Sequence, residues 1–232
     1  MIGRHEAVVA ARFDMLRGRF KGEVASNDPR LRAIVESLSP LAGRRVLDLG
    51  CGKGRFCRTL SDLGASVVGV DLCAGMLAEA TGFDRVRATA RRLPFGPASF
   101  DRVMAVEVFE HLAPQSVDLV CGEVKRVLRP GGTFVIIDKN ICSLSAQRPW
   151  LPSVAVKWID ERRGLWMYSR RGPVRERWFR PGQLKRQLGR WFREVRLVHL
   201  LSRSEQGRFP FQQVPCARLF VLWSARVPGG SA

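Results

Sequence analysis

The chain has 232 residues, of which 46% are hydrophobic and 26% are charged, and this composition suits one α/β domain with a sizeable core. No apolar run is long enough to cross a bilayer, and the apolar segment 7–11 is too short, and too close to charged neighbours, for a signal peptide. We therefore expect a cytoplasmic protein rather than a membrane-spanning or secreted one.

The net charge of +18 is unevenly distributed. Residues 140–232 contain 18 basic and five acidic residues, and so carry +13 of this charge. A surface this basic attracts phosphates, acidic substrates or an anionic membrane surface, so nucleic acid is one class of partner to consider. The six cysteines form no C-x-x-C pair and show no zinc-ligand spacing, and we expect reduced, mostly buried thiols.

Hydrophobic periodicity predicts two N-terminal helices, over 6–20 and 28–38. From Arg45 onward, short apolar strands alternate with amphipathic helices. The predicted strands cover 45–50, 66–71, 85–89, 100–106 and 133–138, and the predicted helices cover 55–64, 74–80 and 116–128. This alternation indicates a parallel sheet with helices on both faces.

After Lys139 the alternation stops. Residues 140–180 are rich in Trp, Arg and Pro, and a predicted helix over 181–192 leads into two predicted strands, 194–201 and 217–226. We expect these strands, joined by a short connection, to pair antiparallel at the edge of the sheet. The chain is then a single domain that divides into 1–40 (N-terminal helices), 41–139 (core), 140–180 (insertion) and 181–232 (C-terminal helix and edge strands).

The most informative segment reads VLDLGCGKGRF, in which Gly50, Gly52 and Gly54 follow a strand and open a helix. Glycines at such a turn let the backbone bend tightly and approach a ligand closely. The spacing G-x-G-x-G differs from the dinucleotide pattern G-x-G-x-x-G, and Asp48 precedes it by two residues. The chain has no G-x-x-x-x-G-K-[ST], which excludes a P-loop. Asp71, at the end of the next strand, can accept hydrogen bonds from two ribose hydroxyls, or can cap a helix instead.

Four segments carry a family resemblance: VLDLGCGKG, VVGVDLCAGML, LPFGPASFDRVMAVEVFEHL and VLRPGGTFVI, all between residues 40 and 140. In order and spacing they resemble the Rossmann-like (class I) S-adenosylmethionine (SAM)-dependent methyltransferases, in particular the type 11 and ubiquinone-pathway O-methyltransferases. The resemblance implies a Rossmann-like α/β fold with a seven-stranded, mostly parallel sheet and an antiparallel C-terminal strand. It also implies that 41–139 binds SAM and that 140–180 is an aromatic and basic lid over the substrate.

The resemblance further implies that SAM lies across residues 50–54, with its ribose on Asp71 and its adenine beside Leu72. The family often places an Asp shortly before Leu-Pro-Phe to receive the adenine amino group, but this chain has Thr89 there. We still expect Thr89 or the backbone of Ala90 near the adenine. The full set of residues expected at the cofactor is Asp48, Gly50, Cys51, Gly52, Gly54, Asp71, Leu72, Met76, Thr89, Ala90 and Glu107.

Glu107, Glu110 and His111 are the candidate catalytic residues, because they follow the fourth predicted strand, where open α/β sheets bind ligands. If 107–112 begins a helix, the spacing i, i+3, i+4 puts their side chains on one face. Two carboxylates and an imidazole would then suit Mg²⁺, Mn²⁺ or Zn²⁺. Alternatively, His111 acts as a base or orients the substrate, or all three residues make only structural hydrogen bonds.

The same motif resembles that of the small-RNA terminal-ribose methyltransferases, in which it holds a divalent metal on the target hydroxyls. Those enzymes add a downstream histidine, and the only later histidine here, His199, is predicted on an edge strand, where we expect no ligand role. The basic aromatic segment 170–196 is either a nucleic-acid surface or the packing of the last helix on the sheet, and we favour packing.

The sequence therefore predicts a SAM-dependent methyltransferase that acts on a small-molecule acceptor at oxygen, beneath an aromatic lid. One alternative is an RNA methyltransferase that uses the basic C-terminal face, and another is a SAM-binding module without catalysis. A sulfonium methyl group is already activated, so the protein must align a nucleophile and exclude water. A base is required only if the nucleophile carries a proton that leaves early.

Overall fold

The computed structural model describes residues 2–168 and 172–229. In these residues one sheet contains seven strands, which we number along the chain. They are β1 (Arg45–Leu49), β2 (Ser66–Asp71), β3 (Asp84–Arg87), β4 (Phe100–Val106), β5 (Leu128–Lys139), β6 (Arg193–Leu200) and β7 (Phe220–Arg226). Their order across the sheet is β3-β2-β1-β4-β5-β7-β6.

The first five strands are parallel, and β7 runs antiparallel to both β5 and β6. Helices surround this sheet, as the alternating pattern predicted. The described helices are α1 (Arg4–Leu16), α2 (Pro29–Leu38), α3 (Cys57–Asp62), α4 (Ala74–Ala78), α5 (Ser116–Val127), α6 (Ser153–Arg163) and α7 (Pro181–Leu188). The predicted mostly parallel seven-stranded fold is confirmed.

Two apolar cores hold the helices against the sheet, because successive side chains of a strand point to opposite faces. On β4, Val103 and Ala105 pack with α5 and α7, whereas Met104 and Val106 pack with α2 and α3. All four side chains are buried. Burial on both faces fixes the register of β4, since a slip by one residue would exchange the two sets.

The strand order reverses beside β1, which pairs with β2 on one side and with β4 on the other. At such a point the connections leave towards opposite faces of the sheet, and a crevice forms beyond the carboxyl ends of the strands. The loops after β1, β2 and β4 therefore meet at one edge. These loops contain the glycine turn, Asp71 and the segment Glu107–His111 of the sequence.

The C-terminal part differs from expectation in the connection between β6 and β7. The two strands pair antiparallel as predicted, but residues 201–219 join them, so the connection is long rather than short. This loop has its own buried anchor: the carboxylate of Glu205 accepts the N–H groups of Ser202 and Leu219, both at 2.8 Å. Phe211 is also buried in this loop.

The basic aromatic segment 170–196 contributes its apolar side chains to the core. Phe179, Leu184, Leu188 and Phe192 are buried against the sheet. The indole Nε1–H of Trp191 donates to Asp118 on α5. The packing interpretation of these side chains therefore holds for the described residues; Arg170 and Arg171 lie outside them.

None of the helices described here combines the length and the apolar character that crossing a bilayer requires. The cysteines in the described ranges are all free thiols, of which four are buried and two, Cys142 and Cys216, are exposed.

Candidate active site

A cavity of about 460 Å³ opens at the carboxyl ends of β1, β2 and β4. Ligand pockets in proteins typically span roughly 300–1,000 Å³. Part of the lining comes from the loops after these strands, and the rest comes mainly from α1 and residues 165–167. The predicted cofactor residues that line it are Asp48, Gly50, Cys51, Gly52, Asp71, Leu72, Met76, Ala90 and Glu107.

The glycine turn is a place where no other residue fits. Gly50 and Gly54 have φ angles of 68° and 79°, in the left-handed region. A Cβ atom on Gly50 would lie 2.5 Å from Val108, and one on Gly54 would lie 2.1 Å from the ring of Phe83. Gly54 therefore allows the ring of Phe83 to pack closely against the turn, although Gly54 does not itself line the cavity.

Asp71 is fixed at the end of β2 by backbone donors. Its two carboxylate oxygens accept the N–H groups of Gly52 and Cys73, each at 2.8 Å. Burial raises the pKa of Asp71, and these N–H groups oppose the shift. Each oxygen keeps a second lone pair for a ligand in the cavity. This arrangement fits the ribose hydroxyls that the sequence assigns to Asp71.

Asp48 lies at the end of β1, below the glycine turn. Burial raises the pKa of Asp48 to about 7. The thiol of Cys57 donates to its carboxylate over 3.1 Å. Asp48 thus lines the cavity as a weakly acidic group that can accept hydrogen bonds.

The adenine end differs from the prediction for Thr89. Thr89 does not line the cavity, whereas its neighbours Ala88 and Ala90 do. Its hydroxyl donates to Glu6 on α1 over 2.5 Å, and Arg91 also pairs with Glu6. Thr89, at the position where the family often carries an Asp, is therefore hydrogen-bonded to a carboxylate of α1.

Glu107 is held by cations on three sides. Its backbone is left-handed, with φ 57°, and its N–H donates to the carbonyl of Ile137 over 2.7 Å. Its Oε1 accepts from Arg30 at 2.5 Å and from Arg55 at 2.8 Å. Burial would raise the pKa of Glu107, but the charges of Lys139 and these arginines hold it well below its usual range. Glu107 is therefore an ionised acceptor.

Lys139, at the end of β5, joins three carboxylates. Its Nζ lies 2.5 Å from Glu110 Oε1, 2.9 Å from Glu176 Oε1 and 3.5 Å from Glu107 Oε2. Burial lowers the pKa of Lys139, but these carboxylates outweigh it and the pKa is raised. For Glu110, burial raises the pKa, with further contributions from neighbouring carboxylates including Asp138. A buried ammonium group thus occupies the centre of the acidic cluster.

The residues present do not fit a divalent metal at Glu107, Glu110 and His111. Glu107 precedes the short 3-10 helix Phe109–His111, so the three side chains do not share one helical face. The ammonium group of Lys139 already lies between the carboxylates, where a cation would bind. Across the described ranges, no cluster of three His, Cys, Asp or Glu side chains is arranged to hold a metal ion.

His111 is buried beside aromatic rings. Burial lowers the pKa of His111 to about 4, so the imidazole is neutral near pH 7. Its Nδ1 lies 3.1 Å from the hydroxyl of Tyr168, and the ring of Phe13 packs edge-on at 5.1 Å between centroids. Its backbone carbonyl accepts from His5 over 2.9 Å. The helix α1 therefore brings a second imidazole to the same cavity.

The insertion supplies only part of the predicted aromatic lid. Trp166 lines the cavity, and Tyr168 contacts His111. By contrast, the side chains of Trp150 and Trp158 are exposed by 77% and 43% and do not line it. Instead, α1 contributes much of the apolar lining, a role that the sequence did not reveal. Its cavity-lining residues are His5, Glu6, Val9, Ala10, Phe13 and Leu16.

His199 lies on β6, as predicted, and does not line the cavity. No sequence motif pointed to His5, Glu6, Arg30 or Glu176, and each of them reaches the site from a segment that is far from it along the chain. Arg55 directly follows the glycine turn, but nothing in the sequence indicated its contact with Glu107.

Comparisons with known proteins agree with this geometry. The family model described as "Methyltransferase domain" matches residues 47–136. A ubiquinone biosynthesis O-methyltransferase from Dinoroseobacter shibae is 30% identical over 192 residues, 71% of this chain and 73% of that protein. One of the same description from Bartonella bacilliformis is 30% identical over 155 residues, 59% of this chain and 62% of that protein.

A solved structure has the same fold over most of its length. It is a SAM-dependent methyltransferase from Mesorhizobium loti, 25% identical, with a TM-score of 0.62, and the match covers 85% of this chain and 96% of that chain. For several curated relatives, however, the match spans only about three fifths of their own length.

Proposed function

Because the chain belongs to the class I SAM-dependent methyltransferases, we propose that it transfers the methyl group of SAM to a hydroxyl oxygen of a small aromatic acceptor. One observation carries this proposal: a single cavity joins the glycine turn and Asp71 to the two imidazoles and the apolar face of α1. Cofactor and acceptor can therefore meet without leaving the protein.

The cofactor end is built from the glycine turn and the strand ends. Asp71 would accept from the ribose hydroxyls, and Leu72, Ala88 and Ala90 supply apolar contacts for the adenine. At the other end, Asp48 and Glu107 can accept from an ammonium group, and Arg55 can bind a carboxylate. When bound, SAM supplies a methyl group that is already activated on a sulfonium centre.

The acceptor end is apolar and aromatic. Phe13, Phe20, Trp166 and Met167 line it, and these side chains suit a planar ring better than a flexible polar chain. Polar groups are few there, and the imidazoles of His5 and His111 are suited to bind a hydroxyl group. The names of two relatives, which state O-methylation in ubiquinone biosynthesis, support oxygen as the acceptor atom.

The residues around the site orient the acceptor and exclude water. The side chains of α1 cover apolar surface that would otherwise be wet, and a dry site strengthens every hydrogen bond within it. The ion pairs of Lys139 hold the loop after β4 in place, which fixes His111 relative to the cavity. With this arrangement, the protein contributes to methyl transfer by positioning the acceptor and by accepting its hydroxyl proton.

The RNA alternative receives less support from the described residues. Base stacking needs exposed aromatic side chains beside the cations. In segment 170–196, the aromatic side chains of Phe179 and Phe192 are buried in the core, and Trp178 is buried as well. The basic charge of this segment remains available for phosphate contacts. RNA is therefore included as a second acceptor in the experiment below, but it is not the leading substrate.

The proposal is tested with tritiated SAM and two acceptors. We expect radioactivity to enter an organic-soluble product when tert-butylcatechol is supplied, and we expect this transfer to be insensitive to nuclease. A purified RNA pool serves as the second acceptor. Methylation of RNA with no transfer to the catechol would favour the RNA alternative, and tight SAM binding without transfer to either would favour a binding module.

A further inference from the structure

His5 lies in the first turn of α1 and is one of the residues that line the cavity. Its Nε2 lies 2.9 Å from the backbone carbonyl oxygen of His111. A carbonyl oxygen can only accept a hydrogen bond, so Nε2 must carry the proton. In a neutral imidazole the other nitrogen, Nδ1, then has an available lone pair. Among the described residues, none makes a hydrogen bond to this Nδ1 atom.

His111 has the opposite arrangement. Tyr168 is buried, and within the described ranges the one hydrogen-bond partner of its hydroxyl is Nδ1 of His111, at 3.1 Å. A buried O–H requires an acceptor, so Tyr168 donates and Nδ1 accepts. The proton of His111 is then on Nε2, which lies 3.5 Å from the Oε1 atom of Glu110. His111 is therefore a donor at the cavity, and its lone pair is occupied.

We propose that Nδ1 of His5 accepts the proton of the acceptor hydroxyl, an inference that rests on the proposed function. As the oxygen–methyl bond forms, the sulfur–methyl bond breaks and its electron pair stays on sulfur; the hydroxyl proton passes to Nδ1. His111, with its Nε2–H, orients the acceptor from the other side. The catalytic imidazole comes from the N-terminal helix, not from the conspicuous segment that follows β4.

The anchoring of α1 explains how His5 keeps its position. Next to it, Glu6 accepts the N–H of Gly3 at 3.0 Å and pairs with Thr89 and Arg91. At the far end of the helix, Asp14 accepts the N–H of Gly75 at 3.0 Å. The first anchor lies in the loop after β3 and the second in the first turn of α4, and both are close along the chain to predicted cofactor residues. The helix that carries His5 is therefore attached to the cofactor site at both ends.

Other titratable groups surround His5 and enter any interpretation of pH dependence. From the strand ends, the cavity wall also carries Glu107, Glu110, His111 and Lys139, and the insertion adds Glu176. On α1, Glu6 is ion-paired with Arg91. Against the effect of burial, nearby cations hold the pKa of Glu107 and of Glu176 below the usual range, whereas burial raises the pKa of Glu110. Burial lowers the pKa of His111 to about 4. Because Asp48 lines the same cavity with its pKa raised to about 7, a pH profile by itself does not identify the base, and the test requires substitution of His5.

The matched test replaces His5 with Gln. The amide nitrogen of Gln can keep the hydrogen bond to the carbonyl of His111, whereas the basic Nδ1 is lost. His199→Gln is the control, because His199 lies on β6 and does not line the cavity. With tert-butylcatechol as acceptor, we expect His5→Gln to lower kcat by about 10²- to 10⁴-fold, and we expect His199→Gln to leave kcat unchanged.

Two further measurements distinguish a failure of the inference about His5 from misfolding of the variant and from a failure of the proposed function. SAM affinity measured by calorimetry should be unchanged in His5→Gln, which shows that the fold and cofactor site persist. Nitrogen-15 NMR of the three histidines, assigned with the two variants, should show both His5 and His111 protonated at Nε2 and not at Nδ1. This readout needs no turnover, so it tests the inference even if the catechol is not methylated.

A wild-type kcat in His5→Gln would overturn the inference, as would a proton on Nδ1 of His5. If the wild-type protein shows the expected tautomers but transfers no methyl group to the catechol, the proposed function fails instead. Loss of activity in His199→Gln to the same extent would also count against a specific role for His5.

Discussion

The ammonium group of Lys139 lies 2.5 Å from Glu110 Oε1, and this contact determines what the acidic segment after β4 does. In sequence, Glu107, Glu110 and His111 look like ligands for a metal ion. In the folded chain a lysine from the end of β5 neutralises the carboxylates, and Glu176 completes the ion-paired cluster. The segment is therefore a buried electrostatic support for one wall of the cavity.

Replacing Lys139 with Met should destabilise the protein strongly. The change leaves Glu110 and Glu176 buried without their counter-charge, and removal of one partner from a buried ion pair typically costs about 3–5 kcal/mol. The free energy of unfolding in urea measures this loss. The deficit should shrink as the pH falls, because protonation removes the unpaired charges. Lys185→Met, at an exposed position on α7, should change the stability by less than about 0.5 kcal/mol.

Removal of divalent metal should leave methyl transfer intact. Because Lys139 occupies the space between the carboxylates, excess EDTA removes nothing on which the site depends. Initial rates with and without EDTA provide the measurement. A rate that collapses with EDTA and returns with Mg²⁺ or Mn²⁺ would show that this description of the acidic cluster is wrong.

Asp71→Ala should weaken SAM binding. Each hydrogen bond to a charged group contributes about 1.5–3 kcal/mol, so the loss of a single ribose contact is enough to raise Kd by roughly 10- to 150-fold. Isothermal titration calorimetry measures Kd, and circular dichroism checks that the variant is folded. Asp62→Ala, at an exposed site at the end of α3, serves as the control. An unchanged Kd in Asp71→Ala would refute the ribose assignment.

Gly54→Ala should damage both the glycine turn and the fold. A left-handed backbone costs a residue with a Cβ atom about 1–2 kcal/mol, and the new methyl group would also displace the ring of Phe83. We expect a lower free energy of unfolding and weaker SAM binding. Gly182→Ala is the matched control in α7: its Cβ would meet only the side chain of Arg186, at 3.8 Å, and the helix should tolerate or prefer it. Equal effects at both positions would contradict this interpretation.

The stability of the protein should depend on the protonation of His111. Its pKa is about 4 in the folded state, against 6.5 for an ordinary histidine, so the unfolded chain binds the proton first. The contribution of His111 is therefore present above pH 6.5 and is lost as the pH falls towards 4, by roughly 3 kcal/mol at most. Glu110 and Asp138, whose pKa values are raised, act in the opposite direction.

A comparison with His111→Phe isolates this contribution, because the buried carboxyl groups are common to both proteins. The stability advantage of the wild type over the variant should diminish between pH 6.5 and 4. Urea unfolding at a series of pH values measures both curves. Curves that run parallel throughout this range would show that His111 titrates like an exposed histidine.

The sequence was sufficient for the features that depend on local geometry. Alternating strand and helix patterns predicted a parallel sheet and the antiparallel pairing of its last two strands, because side-chain periodicity follows directly from backbone geometry, and the family resemblance implied seven strands in all. Similarly, a left-handed turn restricts Gly50 and Gly54 to glycine, so the motif can be read without a structure. The position of Asp71 beside that turn follows from the parallel pairing of β1 and β2.

Only the tertiary structure decided which distant side chains meet. Lys139 and Glu176 join Glu110 from two other segments, and His5 reaches the carbonyl of His111 across more than a hundred residues. Such contacts have no period and no spacing, since they depend on how α1 and the insertion fold back over the sheet. For this reason the sequence located the strand ends and the glycine turn, whereas the fold determined the ion pairs of the acidic cluster and brought His5 beside His111.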